Sequence, residues 1–328
     1  MAKRQRRLSV TQQIMQGVDA KLKSKNYPNH KTYRQFLRHS YRYVQFCREN
    51  FDCRDYDSCC NLDYAKLYCD FLKIQGYTPS TIHTYLAGVS SSMNGINLAD
   101  IDNKPKRHTS EYTRGRKEPF APQKAFDLQH EEHRYLCEFQ RRVGIRRDEL
   151  KKLKGSDMVL DESYYWCVRV RVGKGGKKNQ LNRLNSDEDA EFVRRYFEGK
   201  GPDELIFAPE MFNNHLNLHK LRADSAREFY FLNLKKMQED PEHAARIDQE
   251  IKARWNLYNI DKRTGKPKLF KPELVEGDYI LRGRNREFAR KNNLPVKFSK
   301  LCLLYTSVMK LSHWRLGIAC NNYINILH

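Results

Sequence analysis

The fold class of this chain is indicated by residues 164–178, which read YYWCVRVRVGKGGKK. Apolar residues alternate there with Cys167, Arg169 and Arg171, and a period of two predicts a β-strand with one face toward a core. The glycine-rich stretch that follows predicts a tight turn, and a second strand is expected near residues 179–184. The chain is therefore expected to contain an antiparallel hairpin.

Helical periodicity dominates the rest of the chain. Val10, Ile14, Val18 and Leu22 recur every four residues, which is the apolar stripe of an amphipathic helix. Three further stripes follow before Gly95. The second of those three consists of Tyr64, Leu67, Phe71 and Ile74. The predicted fold class is therefore mainly α with a small antiparallel sheet, that is, α+β.

Composition divides the chain into two predicted domains. Residues 1–102 are expected to form a helical domain. Residues 103–125 are basic, hold three prolines and show no period, which is typical of a linker. Residues 126–328 are expected to form a mixed domain that contains the hairpin. A length of 328 residues suits two domains of roughly 100–200 residues each.

The balance of charge predicts a polyanionic partner. The chain has 61 Lys and Arg against 40 Asp and Glu, a net charge of +21. Residues 1–120 carry 21 basic and 11 acidic side chains, and residues 121–328 carry 40 and 29, so both parts are positive. Nucleic acid is the commonest large polyanion, and its binding to basic proteins releases counterions. The alternatives on charge alone are a ribosomal or a membrane-surface protein.

Composition also excludes several classes of protein. No apolar run approaches the ~18 residues of a membrane span, and no apolar stretch of a secretory signal follows the basic start MAKRQRR. The nine cysteines are an odd number without a repeating frame, which suits reduced thiols. The 19 Tyr and 16 Phe argue against a disordered polycation. We therefore expect a folded cytoplasmic protein without a membrane partner.

Basic residues in two places are candidates for contact with DNA. Arg34, Arg38 and Arg42 recur every four residues on the second predicted helix, so they share one face. That face is either an ordinary solvated surface or one that lies against the phosphate backbone. The linker supplies the other candidates, Lys104, Lys106, Arg107, Arg114 and Arg116.

The chain lacks the motifs of common metal and nucleotide sites. His130 and His133 are three residues apart, whereas H-E-x-x-H places its histidines four apart. No C-x-x-C pair, P-loop or G-x-S-x-G elbow occurs in the sequence. We expect neither a metal nor another cofactor.

A set of cationic residues and one tyrosine fits phosphoryl transfer without a metal ion. Arginines would neutralise the charge that grows on the phosphorane oxygens, and a tyrosine would be the nucleophile. Each residue taken alone is more often structural. The candidate catalytic residues are Arg146, Lys174, His219, Arg222, His313 and Tyr323.

Four segments that carry these residues resemble the motif boxes of the tyrosine recombinase (phage integrase) family. GIRRDEL (144–150) resembles the first arginine box, and VGKGGKK (172–178) resembles the lysine-bearing hairpin. HKLRADSA (219–226) is similar to the H-x-L-R-H box, and LSHWRLGIACNNYI (311–324) to the box with the terminal tyrosine. The upstream segment FLKIQGYTPSTIHTYLAGVSSSMN resembles the end of the family's helical core-binding domain. The boxes follow the family's order, and the resemblance as a whole covers nearly the whole chain, from about residue 10 to Tyr323.

The resemblance implies how the site would hold a scissile phosphate. Arg146 and Arg222 would clamp the phosphate, and His313 would donate a hydrogen bond to one of its oxygens. Glu149 would support the helix that begins at the first arginine.

The resemblance also implies the steps of the reaction. Tyr323 would attack phosphorus and form a 3′-phosphotyrosine, His219 would assist proton transfer around it, and Lys174 would protonate the departing 5′ oxygen. Because the covalent link keeps the phosphoester energy, neither ATP nor a metal is implied. A tyrosine with an ordinary pKa of ~10 is mostly protonated at neutral pH, so the surrounding cations would activate it.

The implied protein is a site-specific recombinase of the integrase type that integrates or excises a mobile element. A helical core-binding domain and a mixed catalytic domain would form a C-shaped clamp around double-stranded DNA. The implied partners are recombination sites, the other protomers of a homo-oligomer (a tetramer on paired sites) and an excisionase or DNA-bending protein, in a bacterial cytoplasm. The alternatives are a type IB topoisomerase-like enzyme and a non-catalytic DNA-binding protein of the same fold.

The sequence departs from the family's pattern in the two last boxes. Ala223 stands where a second histidine is usual, and Ser312 stands where glycine is usual. Tyr323 follows His313 by ten residues, one more than in many relatives, which leaves Tyr305 as a second candidate nucleophile.

A long charged segment separates the last two boxes. Ninety residues lie between Arg222 and His313, so residues 235–300 look like an insertion. The segment would contact flanking DNA, a partner protein or another protomer, or it would be a solvated excursion.

Overall fold

The computed structural model describes residues 8–24, 30–107, 131–173, 178–212, 216–261 and 263–324. The chain divides into two compact units, Met1–His108 and Thr109–His328. Helices dominate both units, and a small antiparallel sheet lies in the second. The predicted class, mainly α with a small antiparallel sheet, is confirmed.

The first unit is a helical bundle. Its helices are α1 (Val10–Ser24), α2 (His30–Phe51), α3 (Tyr56–Cys59), α4 (Leu62–Ile74) and α5 (Pro79–Ser92). The side chain of Thr78 accepts from the Thr81 N–H, and proline follows as the first helical residue, so the sequence itself sets where α5 begins. Helices α2 and α5 approach closely at Gly88, where a Cβ atom would lie 2.6 Å from the Cβ of His39.

Helix α4 turns a different face inward from the one that its apolar stripe indicates. Leu67 is 48% exposed and Ile74 is 82% exposed. Tyr68 and Leu72 are buried instead, and the ring of Tyr68 lies 5.4 Å from that of Tyr43 on α2. The helix has apolar residues on two faces, so periodicity alone does not decide which face meets the bundle.

The second unit combines helices with two small sheets. Its helices are α6 (Glu131–Val143), α7 (Arg147–Leu150), α8 (Asp187–Arg194), α9 (Leu218–Glu239), α10 (Pro241–Tyr258), α11 (Gly283–Lys291), α12 (Lys300–Met309) and α13 (Leu316–Ala319). Its strands are β1 (Met158–Leu160), β2 (Trp166–Val172), β3 (Lys178–Arg183), β4 (Asp278–Ile280) and β5 (Lys297–Ser299). A π-helical turn, Cys320–Ile324, follows α13 directly.

The predicted hairpin is strands β2 and β3, to which β1 adds a third antiparallel strand in the order β1-β2-β3. Val168 and Val170 of β2 face the core. Arg169 and Arg171 on the opposite face both donate to the buried carboxylate of Asp157. The other residue of that face, Cys167, is nevertheless fully buried.

The segment 235–300 contributes to the packing of the second unit. Helix α10 buries Ile247 and Ile251 against α9 and α12. Strands β4 and β5 pair with Tyr279 opposite Phe298, and the buried ring of Phe298 joins the core around α9 and α12. These residues are therefore part of the framework that holds the candidate site.

Candidate active site

Arg222 lies at the centre of the candidate site, on the second turn of α9. Asn217 caps this helix by accepting from the Lys220 N–H, so the arginine follows a fixed helix start. The side chain is 1% exposed, and its Nη1 and Nη2 donate to the carbonyl oxygens of Gly144 at 2.5 Å and Leu311 at 3.0 Å. Its guanidinium is therefore fixed by two neutral main-chain oxygens.

Gly144 is required at the point where α6 ends. Its φ is +70°, and a Cβ atom there would lie 2.8 Å from the Oγ of Ser225. A side chain at this position would therefore be strained and would clash with α9. The glycine allows the chain to turn sharply and to present its carbonyl oxygen to Arg222.

Arg146 lies two residues after that glycine and is the N-cap residue of α7. Its Nη1 donates to Glu149 Oε1 at 2.6 Å, and its backbone N–H donates to Glu149 Oε2 at 2.8 Å. The Glu149 side chain is 4% exposed, whereas that of Arg146 is 26% exposed. The carboxylate thus holds the arginine from the protein side and leaves part of the guanidinium open to solvent.

The two arginines share one acceptor. Arg146 Nη2 donates to the Leu311 carbonyl at 3.4 Å, and Arg222 Nη2 donates to the same oxygen at 3.0 Å. The structure therefore brings together the arginines of two boxes that are 76 residues apart in sequence.

Tyr323 lies beside this pair, in the π-helical turn. Its side chain is 7% exposed, and the centre of its ring lies 5.8 Å from Arg222 Cζ. Burial lowers the pKa of Arg222, whereas the charge interaction with Tyr323 opposes that lowering. A guanidinium that has lost its hydration gains from any anion that approaches it, so this position favours a phosphate.

Two histidines flank the tyrosine. The ring centre of His219 lies 5.5 Å and that of His313 lies 6.4 Å from the ring centre of Tyr323. His219 is exposed, whereas His313 is 9% exposed. The Arg315 N–H donates to His313 Nδ1 at 3.4 Å, which places the proton of a neutral imidazole on Nε2.

Five of the six candidate catalytic residues therefore lie in one region of the second unit. The sixth, Lys174, lies outside the described residues, between the ends of β2 and β3. Tyr305, the other candidate nucleophile, is buried away from this region, where its hydroxyl accepts from Arg183 at 2.5 Å and donates to Glu250 at 3.2 Å. Burial raises the pKa of Tyr305 above the ordinary value for a tyrosine.

The basic residues expected to contact DNA belong mostly to the first unit. Arg34, Arg38 and Arg42 are exposed on one side of α2, and Arg42 also donates to the hydroxyl of Tyr85. Lys104 is partly buried, and its Nζ donates to the Ile101 carbonyl at 2.6 Å. Lys106 and Arg107 are exposed, whereas Arg114 and Arg116 lie outside the described residues.

One residue of this region carries a signal that motif matching overlooks. Lys310 is the only charged residue between Leu301 and Leu311, a run that reads LCLLYTSVMKL. A lone lysine in so apolar a stretch indicates either an exposed helix end or a buried amine with a specific task. The structure places it inside the protein, where it is completely buried.

Among the described residues, no group of three or more His, Cys, Asp or Glu side chains is arranged to hold a metal ion. None of the described helices is long and apolar enough to cross a membrane.

Comparisons with known proteins find a likeness to solved structures. No family model and no curated protein matches the sequence. Among solved structures, the crystal structure of XerA recombinase is similar at 13% sequence identity and a TM-score of 0.23, over 70% of this chain and 85% of that one.

Proposed function

We propose that this chain cuts and rejoins DNA strands as a tyrosine recombinase does. The observation that carries the proposal is the pair Arg146 and Arg222, which share the Leu311 carbonyl beside Tyr323. Two guanidinium groups present the donors that a phosphodiester needs, and a tyrosine within reach of them supplies a nucleophile.

The proposed reaction is a transesterification at phosphorus. The hydroxyl oxygen of Tyr323 forms a bond to phosphorus, and the bond between phosphorus and the 5′ oxygen breaks. The proton of the tyrosine passes toward His219, whose ring lies 5.5 Å from the tyrosine ring. The leaving 5′ oxygen takes a proton from Lys174. Rejoining is the same reaction in reverse, with a 5′ hydroxyl as the nucleophile.

Phosphate entry requires a movement of the tyrosine. Arg222 is 1% exposed and Tyr323 is 7% exposed. The turn Cys320–Ile324 must therefore shift so that a phosphodiester reaches the guanidinium. A π-helical turn suits this task because it is a local irregularity that is often found at functional sites.

We infer a route for the duplex across the second unit from a basic cavity of about 480 Å³ next to Glu149. Its lining includes the basic residues Lys151, Lys152, Lys154, Arg169 and Arg171. Contacts of this kind with phosphates add affinity and fix register without reading sequence. The exposed arginines of α2 would supply further phosphate contacts.

The proposed enzyme would have a defined DNA substrate and a defined assembly. It would act on paired recombination sites as a homo-oligomer, a tetramer in the synapse, and would integrate or excise a mobile element in a bacterial cytoplasm. An excisionase or a DNA-bending protein would assist. Residues 235–300 would contact flanking DNA, a partner or another protomer.

The test is the formation of a covalent protein–DNA adduct. A pool of nicked duplexes of random sequence would be incubated with the protein in EDTA, denatured and separated by electrophoresis. We expect a slowly migrating adduct with the wild type, none with Tyr323→Phe, and an unchanged amount with Tyr164→Phe. Tyr164 is the matched control because it belongs to the same unit and is 84% exposed.

Other outcomes would change the proposal in defined ways. An adduct that persists in Tyr323→Phe would assign the nucleophile to another tyrosine. Tight binding to DNA without any adduct would favour the non-catalytic binding protein. Relaxation of supercoiled plasmid at many positions, without exchange between sites, would favour the topoisomerase-like enzyme.

A further inference from the structure

Lys310 is a completely buried amine directly after α12. Its Nζ donates to the carbonyl oxygen of Arg142 at 2.8 Å and to that of Arg183 at 2.8 Å. A neutral amine has two N–H donors, and both are used by these two acceptors. The centre of the Phe229 ring lies 5.9 Å from Nζ, too far to satisfy a third donor well. The contacts therefore match an uncharged lysine.

The charges around Lys310 act in both directions. Burial lowers the pKa of Lys310 to about 7, and Arg222 of α9 adds to this effect. Asp189 of α8, Cys167 of β2 and Glu228 of α9 oppose it. Burial dominates, so the amine is largely neutral above pH 7.

The two peptide segments that hold Arg222 are joined through this lysine. One segment contains Arg142, which accepts from Lys310, and Gly144, which accepts from Arg222. The other contains Lys310 itself and Leu311, whose carbonyl accepts from Arg222. The Gly144 carbonyl is therefore two residues from Arg142, to which Lys310 donates, and the Leu311 carbonyl is one residue from Lys310 itself.

Strand β3 also forms hydrogen bonds with Lys310. The Arg183 carbonyl accepts from Lys310 Nζ, and Asn182 Nδ2 donates to the Lys310 carbonyl at 2.6 Å. Asn182 and Arg183 are near the end of the strand that begins at Lys178, four residues after Lys174 in the sequence. Lys310 therefore links the hairpin to both segments that hold the arginine.

We propose that Lys310 is a positioning residue for the strand cleavage proposed above, and that it fixes the Gly144 and Leu311 carbonyl oxygens so that Arg222 faces Tyr323. An apolar side chain would fill the same volume, but it would leave the Arg142 and Arg183 carbonyls without this donor. The segment that contains Arg142 and Gly144 and the segment that contains Lys310 and Leu311 would then no longer be held at a fixed separation. This inference rests on the proposed function for its chemistry, but it makes separate statements about stability and anion binding.

The first experiment compares Lys310→Met with Lys300→Met. Lys300 is the matched control because it lies at the other end of α12 and also donates to a backbone carbonyl, that of Glu273 at 3.1 Å, but at a partly exposed position. We expect Lys310→Met to slow adduct formation about tenfold or more, since small misplacements of a catalytic group have effects of this size. Its dissociation constant for duplex DNA would change less than about twofold. Lys300→Met would leave both quantities unchanged.

The second experiment measures the thermal midpoint as a function of pH. An unfolded lysine keeps its proton up to pH ~10.4, whereas Lys310 loses it near 7 in the folded protein. The unfolded state then binds more protons between these values, so the wild type gains stability as pH rises from 7 to 10. The midpoint of the wild type minus that of Lys310→Met should rise over this range, and a flat difference would contradict the neutral amine.

A third experiment uses inorganic phosphate alone, without DNA. Phosphate should raise the thermal midpoint of the wild type and of Lys300→Met, and it should raise that of Lys310→Met less. If Lys310→Met does not fold, Lys310→Gln replaces it, since its amide keeps donors that reach one carbonyl and should give an intermediate response.

The outcomes separate this inference from the proposed function. If phosphate stabilises the wild type but no adduct forms, the proposed cleavage is wrong, whereas the role of Lys310 in holding the anion site stands. Normal adduct formation and normal phosphate binding in Lys310→Met would overturn the inference and leave the cleavage intact. A wild type that phosphate does not stabilise, and that forms no adduct, would overturn both.

Discussion

Arg222 owes its place to main-chain atoms rather than to a carboxylate. Its two described hydrogen-bond acceptors, Gly144 and Leu311, are 78 and 89 residues away in sequence. A motif identifies the arginine, since it occurs in a recognisable local pattern, but the motif says nothing about distant acceptors. Lys310 is the clearest case, because its acceptor Arg142 lies 168 residues away and no local pattern predicts that contact.

At the residue level, the contact between Glu149 and Arg146 can be tested with an isosteric change. Glu149→Gln replaces a carboxylate that accepts from both the guanidinium and the backbone N–H. Charge-assisted hydrogen bonds contribute about 1.5–3 kcal/mol, so we expect the free energy of unfolding to fall by about that amount. Adduct formation should fall about tenfold, because the arginine loses its fixed orientation.

Asp148→Asn is the control for this change, since Asp148 is the exposed neighbour of Glu149. Chemical denaturation and single-turnover cleavage would be measured for both variants. Equal effects of the two substitutions would show that the contact with Arg146 has no special role.

Helix α10 is the element that ties the segment 235–300 to the sheet. Its Glu250 and Arg254 reach a buried cluster in which Arg183 of β3 pairs with Asp161. Burial opposes ionisation of Asp161, but the hydrogen bond and the charge of Arg183, together with the N–H groups of Tyr165 and Ser163, keep the pKa of this carboxyl below its ordinary value. The cluster therefore connects α10, the loop after β1 and β3, the second strand of the hairpin.

We expect Asp161→Asn to destabilise the second unit strongly. The substitution removes the carboxylate charge that pairs with the buried guanidinium groups of Arg183 and Arg254, and breaking a buried ion pair costs about 3–5 kcal/mol. Asp203→Asn is the control, because its ion pair with Lys154 is exposed, and it should leave the unfolding midpoint unchanged. Urea unfolding followed by tryptophan fluorescence measures both.

The same cluster sets the response to acid. Because the folded pKa of Asp161 is depressed, its contribution is present above the unfolded pKa of ~3.9 and is lost as pH falls through the folded value. The wild type should therefore lose stability relative to Asp161→Asn only below pH ~4. If the stability difference between the wild type and Asp161→Asn is already lost at pH 6, the depressed pKa of Asp161 is contradicted.

At the level of elements, the sequence was most informative where periodicity is long. The apolar stripe of α1 and the alternation in β2 predicted their structures because each pattern extends over several residues. Strands β4 and β5 have three residues each, too few for any period to be visible. The inward face of α4 was also missed, since it depends on Tyr43 of another helix.

For the whole molecule, the net charge of +21 predicts strongly salt-dependent binding to DNA. Each phosphate contact contributes about 0.9 to the slope of log affinity against log salt. If the exposed arginines of α2 contact the backbone, replacing Arg34, Arg38 and Arg42 by Gln should reduce that slope by about 3. Fluorescence anisotropy on a duplex at several salt concentrations measures the slope.

Arg54→Gln is the control for the triple substitution. Arg54 is exposed on the same unit but forms an ion pair with Asp52 at 3.1 Å. A slope that is equally reduced in the control would mean that general charge, rather than this face of α2, determines binding.

The acceptor shared by the two arginines is a peptide oxygen, and this affects how the site can evolve. Every amino acid at position 311 offers the same oxygen, so no single codon change can delete the junction between Arg146 and Arg222. Position 311 is thus free to drift among apolar residues that fit its buried surroundings. A comparison of homologous sequences would show an ordinary core position there, although the atom that joins the two halves of the site belongs to it.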